Sequence, residues 1–179
     1  MKKDWLERTE LLIKEEGLEK LRDANLLVVG LGGVGSFAAE FLARAGVGKM
    51  TIVDGDTVDL TNINRQLPAL HSALGKSKVD VVGDRLLDIN PDLKLTRLNQ
   101  FLNPEDMAAI FEVESFDYVL DCIDSVSPKV TLILNARRRK VKVVSCMGAG
   151  GKMDPSKVLV RDIHKTQSCH LAKQVRKRL

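Results

Sequence analysis

The chain has 179 residues, 44% of them hydrophobic and 29% charged, with a formal net charge of +4. That balance suits a folded globular chain and excludes a disordered, charge-dominated one. No apolar run reaches the roughly 20 residues of a membrane span. The opening Met1-Lys2-Lys3-Asp4-Trp5 lacks the apolar core of a secretory leader, so a cytoplasmic location without membrane contact is the expectation. The length suits one domain, residues 1–179. Cys122, Cys146 and Cys169 have no CxxC spacing, which argues against a disulfide framework or a zinc knuckle.

Helical and extended patterns alternate along the chain. Leu6 to about Arg22 reads as a helix with Leu11, Leu12, Leu18 and Leu21 on one stripe. Leu26–Val29 is a short apolar run entering glycines and reads as a buried strand. Val34–Ala45 is predicted helical, and Met50–Val53 is a second strand. Lys76–Ile89 is a helix that stops before Asn90-Pro91, because the residue preceding proline resists helical geometry. Leu93–Leu98 alternates as a third strand, and Pro104–Phe111 is a short helix with proline in its first turn. Tyr118 opens a fourth strand, Pro128–Arg139 is a helix, Val141–Ser145 a fifth strand and Val158–Val160 a sixth. From Leu171 on the pattern is a basic helix. The alternation predicts an α/β, Rossmann-like doubly wound sheet, mostly parallel, with helices on both faces.

Ligands of such sheets sit beyond the carboxyl ends of the strands, where strand order reverses. Three candidate groups fall at strand ends: the glycines after the first, Asp54 after the second and Asp124 after the fourth. Gly30-Leu31-Gly32-Gly33-Val34-Gly35 satisfies G-x-G-x-x-G between a strand and a helix. Glycines let the backbone approach a phosphate, and the following helix offers free N–H groups and its positive dipole end. Asp54, about 20 residues further on, can accept ribose hydroxyls. The loop alone does not choose among nucleotides; nicotinamide or flavin dinucleotides satisfy it equally.

The choice comes from Asp54-Gly55-Asp56-Thr57-Val58-Asp59-Leu60-Thr61-Asn62-Ile63-Asn64-Arg65-Gln66 and the later Gly75-Lys76-Ser77-Lys78. Oxidoreductases have no need of this arrangement, whereas phosphoryl transfer needs cations against a triphosphate. Arg65 can grip phosphate with a planar fork, Lys78 can act as a point charge, and Asp124 can hold magnesium directly or through water. D-x-D-x-V-x-x-x-N-x-x-R-Q after G-x-G-G-x-G resembles the ThiF/MoeB/HesA adenylating family, relatives of the ubiquitin-activating enzymes. Within it the chain is most similar to the branch that dehydrates threonylcarbamoyladenosine in tRNA. The narrower likeness rests on Thr61–Gln66, Ile123-Asp124-Ser125-Val126-Ser127-Pro128-Lys129 and Gly148-Ala149-Gly150-Gly151-Lys152-Met153-Asp154-Pro155.

The resemblance implies ATP with Mg2+ as cofactors. It implies nucleotide contacts from Gly30, Gly32, Gly33, Gly35, Asp54, Asp56, Asn62, Arg65 and Lys78, with Asp124 on the metal. It further implies a homodimer in which Arg8 reaches the partner's site, making Arg65, Lys78, Asp124 and Arg8 the catalytic set. The chemistry implied is adenylation of a carboxylate, here one carried by tRNA. The alternatives are activation of the C-terminal glycine of a ubiquitin-like sulfur-carrier protein, and a nucleotide-binding scaffold without catalysis. Arg137–Lys140 and Lys173–Arg178 are basic runs suited to RNA phosphates or, equally, to solvated helix faces. Cys122 and Cys146 are expected to pack rather than react, and Cys169 beside His170 is not expected to be a nucleophile, since adjacent residues do not face one another on a helix and reactivity needs a spatial base. Members of the family continue past the point matching Leu179, so the C-terminal portion is expected to be missing. Gln167-Ser168-Cys169-His170 departs from the family's usual N/D-P pair.

Overall fold

The computed structural model describes residues 5–179. Its elements run α1 (Glu7–Asp23), β1 (Asn25–Val29), α2 (Gly35–Arg44), β2 (Lys49–Val53), α3 (Lys78–Ile89), β3 (Lys94–Leu98), α4 (Pro104–Val113), β4 (Tyr118–Asp121), α5 (Val126–Arg138), β5 (Lys142–Ser145) and α6 (His170–Arg176). The five strands form one sheet in the order β3-β2-β1-β4-β5, every pairing parallel. The chain leaves β1 in one direction through β2 and β3, then returns to β4 on the other side. Strand order therefore reverses between β1 and β4, and the crevice outside their carboxyl ends is where a doubly wound sheet takes its ligand.

Burial explains why the first strand reads as an unbroken apolar run: all five residues of β1 are buried, because helices cover both faces. On one face Val28, Met50 and Ile52 pack against Ala39 and Ala43 of α2 and Val79, Val82 and Leu86 of α3. On the other, Leu27, Val29, Val53 and Val119 pack against Met107 of α4 and Leu132 and Ala136 of α5. Each such side chain, fully removed from water, contributes about 1.5–3 kcal/mol to folding. Ser77 caps α3 through Asp80 N–H, and Asn103 caps α4 through Asp106 N–H, with Pro104 just inside.

Two expectations fail. Val158–Val160 is not a strand: its residues are 78%, 62% and 100% exposed, and β5 remains the sheet's edge. An extended apolar triplet becomes a strand only when a ladder partner takes its N–H and C=O groups, and none among the described residues does so here. The leucine stripe of α1 also breaks. Leu18 is buried, but Leu11 and Leu12 are 79% and 83% exposed, because the helix is interrupted at Lys14, whose φ is 62°. A break of that kind rotates the preceding turns off the face that Leu18 defines.

Candidate functional site: a glycine loop locked to an Asn–Arg–Gln turn

The ladder continues just past the strands and sets the floor of the site. Gly30 N–H donates to Val53 O, Asp54 N–H to Leu98 O and Cys122 N–H to Val29 O. The residues beyond β1, β2 and β4 thus share one rim. Gly30 turns the chain with φ 90°, which an L side chain resists. A Cβ on Gly35 would overlap the Gly30 carbonyl oxygen, so the first turn of α2 sits directly on the loop. Ser36 ties it further, donating both its N–H and its Oγ–H to Gly32 O.

Gly32 and Gly33 also lie near a second segment, the Asn62–Gln66 turn. A Cβ on Gly33 would stand 3.3 Å from Arg65 O, and one on Gly32 would stand 3.7 Å from Gln66 Nε2. A side chain at Gly33 would press on the Asn62–Gln66 turn, whereas one at Gly32 would meet it at ordinary contact distance. That turn is built locally. Asp59 accepts from Thr61 N–H at 2.8 Å, and Asn62 Oδ1 accepts from Asp59 N–H at 3.2 Å, a reciprocal cap. The hydrogen bonds from Thr61 hold the Asp59 carboxyl below its ordinary range. Asn62 is buried, while Arg65 is exposed with its guanidinium donating to Thr61 O at 3.0 Å and Asn64 Oδ1 at 2.9 Å. Gln66 Oε1 is buried and has no hydrogen-bond partner among the described residues.

Asp54 joins the two halves. Its Oδ2 accepts from Leu31 N–H at 2.6 Å and its Oδ1 from Asp56 N–H at 2.8 Å. Asp56 in turn pairs with Lys78 Nζ at 2.9 Å, and Lys78 is only 4% exposed. Lys78 reaches this position because two short segments zip together: Val58 N–H donates to Lys76 O, Lys78 N–H to Asp56 O, and Thr57 bridges Ser77. Gly30, Gly32, Gly33, Gly35, Asp54, Asp56, Asn62, Arg65 and Lys78 thereby form one connected group.

Asp124 stands exposed beyond β4, and the anchor of its loop was not foreseen. Lys129, wholly buried on α5, pairs with Asp121 Oδ2 at 2.8 Å and donates to Ile123 O at 2.7 Å. Asp121, also wholly buried, accepts further from Ser145 Oγ–H at 2.5 Å and Ile123 N–H at 3.1 Å. Burial pushes the Asp121 carboxyl up, while Lys129, Ser145 and Ile123 pull against that. Asp121 thus binds a buried ammonium and a hydroxyl as well as a backbone N–H. Beside it, Cys122 Sγ and Cys146 Sγ are 4.0 Å apart. Sharing a proton in this hydrogen bond pushes the Cys122 thiol up and brings Cys146 down to about 7.

Arg8 does not join the group in its own chain. It is exposed two residues after Leu6, and Leu6 packs against Gly46, beyond the far end of α2. Ten residues of helix place that end about 15 Å from the glycine loop. Surface hollows lined by Lys49, Lys94 and Glu114, and by Trp5, Gly46 and Asn90, hold none of the connected group. The two basic runs also part company. Arg137–Lys140 ends α5 and precedes β5, at the amino end of the sheet, and Arg139 is spent on the Phe111 ring and Asn135. In the second run Arg176 holds Thr166 and Ile163 carbonyls, but Lys173, Lys177 and Arg178 are exposed, and Arg178 donates to Ser127 Oγ near the Asp124 loop.

The ThiF family profile matches residues 6–178. The tRNA threonylcarbamoyladenosine dehydratase of Bacillus subtilis (strain 168) is 45% identical over 172 residues, covering 96% of this chain and 67% of that protein. Its namesake in Escherichia coli (strain K12) is 43% identical over 178 residues, covering 98% of this chain and 66% of the relative. The E. coli molybdopterin-synthase adenylyltransferase is 40% identical over 139 residues, 78% of this chain and 54% of that one. The crystal structure of the E. coli dehydratase, TcdA, in complex with ATP superposes with a TM-score of 0.93 at 43% identity, covering 96% of this chain and 70% of that one. The same enzyme in complex with AMP gives 0.92, with 96% and 69% covered. The chain thus spans about two thirds of the length of the bacterial dehydratases it matches.

Proposed function

The chain belongs to the ThiF family, and from that premise we propose that it adenylates a carboxylate with ATP, the carboxylate of a threonylcarbamoyl group on a tRNA adenosine. The observation that carries the proposal is the Asn62–Gln66 turn seated on Gly32 and Gly33. It sets the Arg65 side chain against the glycine loop, and the Asp54–Asp56 link brings the buried Lys78 ammonium to the same rim. Backbone N–H groups at the start of α2 take phosphate oxygens. Asp54 keeps lone pairs for ribose hydroxyls beyond the two N–H groups it accepts. Arg65 and Lys78 face the triphosphate, and Lys78 has two ammonium protons beyond the one given to Asp56.

Magnesium fits a single-carboxylate site. Asp124 is exposed at the rim, and among the described residues no group of three His, Cys, Asp or Glu side chains is gathered to cage a metal. Magnesium takes most of its ligands from phosphates and water and, when bound, neutralises charge on them. The protein's contribution is positioning and charge stabilisation, since phosphoryl chemistry leaves it little covalent work. A carboxylate oxygen attacks the α-phosphorus, the bond to the bridging oxygen breaks and pyrophosphate leaves. A nucleophile of the same modified group then attacks the acyl carbon and AMP departs with the carboxylate oxygen, a net loss of water.

The proposal extends to a cytoplasmic homodimer. Phe37 and Phe41 on α2 are 41% and 66% exposed, and Leu11 and Leu12 on α1 are exposed too, and such surface supports a second copy. Arg8, remote from its own site, is free to enter the partner's. Lys173, Lys177 and Arg178 support a tRNA contact near the rim. Activation of a ubiquitin-like sulfur carrier is the second reading, supported by likeness to molybdopterin-synthase adenylyltransferases, which covers less of the chain. The test incubates the protein with ATP, magnesium and tRNA bearing threonylcarbamoyladenosine and weighs the nucleosides. ATP-dependent loss of one water, absent in Asp124→Ala, supports the dehydratase reading. No loss, with pyrophosphate release provoked by a carrier protein's Gly-Gly tail instead, refutes it in favour of the second.

A further inference from the structure

Cys122 and Cys146 are the next register pair after β4 and β5. Asp121 and Ser145 are partners on the ladder, and the bonds run on through Cys122 N–H to Val29 O and Cys146 N–H to Asp121 O. Side chains alternate along a strand, so the two cysteines share the face opposite Asp121 and Ser145. That face is the one under α2: a Cβ on Gly35 would lie 3.0 Å from Cys122 Cβ. Neighbouring strands lie about 4.8 Å apart, within the Cα separation of about 4.4–6.8 Å that a disulfide spans. The two sulfurs already stand 4.0 Å apart, and both cysteines are half-buried rather than sealed in the core. Closing to a bond of about 2.05 Å needs side-chain rotation and a small approach of the strand ends, not a rearranged backbone.

The place of the pair gives oxidation a consequence. A Cβ on Gly30 would run into the Cys122 carbonyl, so the Cys122–Ile123 peptide lies directly beneath the glycine loop and leads into Asp124. Drawing Cys122 toward Cys146 moves the floor on which Gly30 and Gly35 rest.

We propose that Cys122 and Cys146 form an oxidisable dithiol, closed reversibly by exchange with a small-molecule disulfide, whose bridge weakens nucleotide binding at the glycine loop. The thiolate of Cys146 attacks one sulfur of the small disulfide and expels one thiolate, giving a mixed disulfide. Cys122, losing its proton to solvent, then attacks Cys146 Sγ and expels the second thiolate. Two protein thiols are oxidised and one external disulfide is reduced to two thiols. The effect on nucleotide rests on the ATP-binding reading above; the bridge itself does not.

The experiment treats the reduced protein with oxidised glutathione, blocks remaining thiols with N-ethylmaleimide, and reads intact mass, non-reduced peptides and ATP affinity. The expected result is a loss of two hydrogens, a Cys122–Cys146 linked peptide, Cys169 alkylated, and an ATP Kd raised about tenfold, or about 1.4 kcal/mol. Dithiothreitol restores the affinity, and the affinity of Cys146→Ser is indifferent to the oxidant. The proposal is overturned by three alkylated cysteines, a persisting glutathione adduct, a bridge through Cys169, or a Cys122–Cys146 bridge that leaves ATP affinity unchanged. A reduced protein that binds no ATP refutes the adenylation reading and the nucleotide half of this one, while the mass still decides the bridge.

Discussion

Replacing Lys129 by methionine keeps most of the side chain's apolar stem and removes its charge. Lys129 and Asp121 are each wholly buried and 2.8 Å apart, and Lys129 also holds Ile123 O. Loss of the ammonium leaves the Asp121 carboxylate with only the Ser145 hydroxyl and the Ile123 N–H. Breaking a buried pair from one side costs about 3–5 kcal/mol. The carboxylate has an escape, since it can bind a proton. From a carboxyl pKa of about 3.9 in the unfolded chain to pH 7 is roughly three units, or about 4 kcal/mol at 1.36 kcal/mol per unit, which caps the penalty. The folded pKa is raised in the variant, so the penalty is largest at high pH and fades as pH falls toward the unfolded value. At pH 5 the cap is about 1.5 kcal/mol. Urea denaturation at both pH values reads the difference directly. At neutral pH the melting temperature should fall by roughly 8–16 °C for a chain of this size. Adding Asp121→Asn should recover part of the loss, because no charge is then stranded. A penalty that does not change with pH, or single and double variants that differ additively, would refute this reasoning.

Arg65→Ala should weaken ATP binding by about 1.5–3 kcal/mol, roughly ten- to hundredfold in Kd, while leaving the melting temperature within about a degree or two, since the side chain is exposed. Calorimetric titration and a thermal melt check the two halves. Glu40, 8% exposed, is gripped by Arg85 at 2.5 Å and Arg44 at 2.8 Å, and the hydrogen bonds from Arg85 hold its carboxyl below the ordinary 4.5. That stabilisation is complete above about pH 4.5 and is lost as pH falls through the depressed folded value. Glu40→Gln should therefore cost about 1–3 kcal/mol at neutral pH and visibly less near pH 3, by denaturant unfolding. The double change Lys177→Ala, Arg178→Ala should weaken tRNA binding and lower the slope of log affinity against log salt by about 1.5–2, whereas Arg137→Ala, Arg138→Ala at the other end of the sheet should change it less.

Most of the architecture was legible because burial on both faces leaves a signature that local sequence carries. Leu26–Val29 is apolar throughout since helices cover both sides of β1, and Pro104 marks a helix start by chemistry that acts within one turn, whereas the helix read from Lys76 begins at Lys78, where Ser77 caps it. Where the outcome depended on a distant partner the sequence was silent. Val158–Val160 has the composition of a strand but finds no ladder. Leu11 and Leu12 have the spacing of a stripe, yet the break at Lys14 turns them to solvent. In the site, spacing brought out the glycines, Asp54, Arg65 and Lys78 as candidates, but the tight approach of the Asn62–Gln66 turn to Gly33 needed the third dimension. Lys129 looked like any lysine in a helix; only the fold shows it wholly buried against Asp121.

The central claim is adenylation of a carboxylate on tRNA, and the most direct measurement follows both products of ATP together with the nucleoside. With α-labelled ATP, magnesium and threonylcarbamoyladenosine-bearing tRNA, the account predicts one AMP and one pyrophosphate for each nucleoside that loses water, with neither formed when the tRNA lacks the modification. Release of ADP instead of AMP, or AMP formed at the same rate without the modified tRNA, would contradict it.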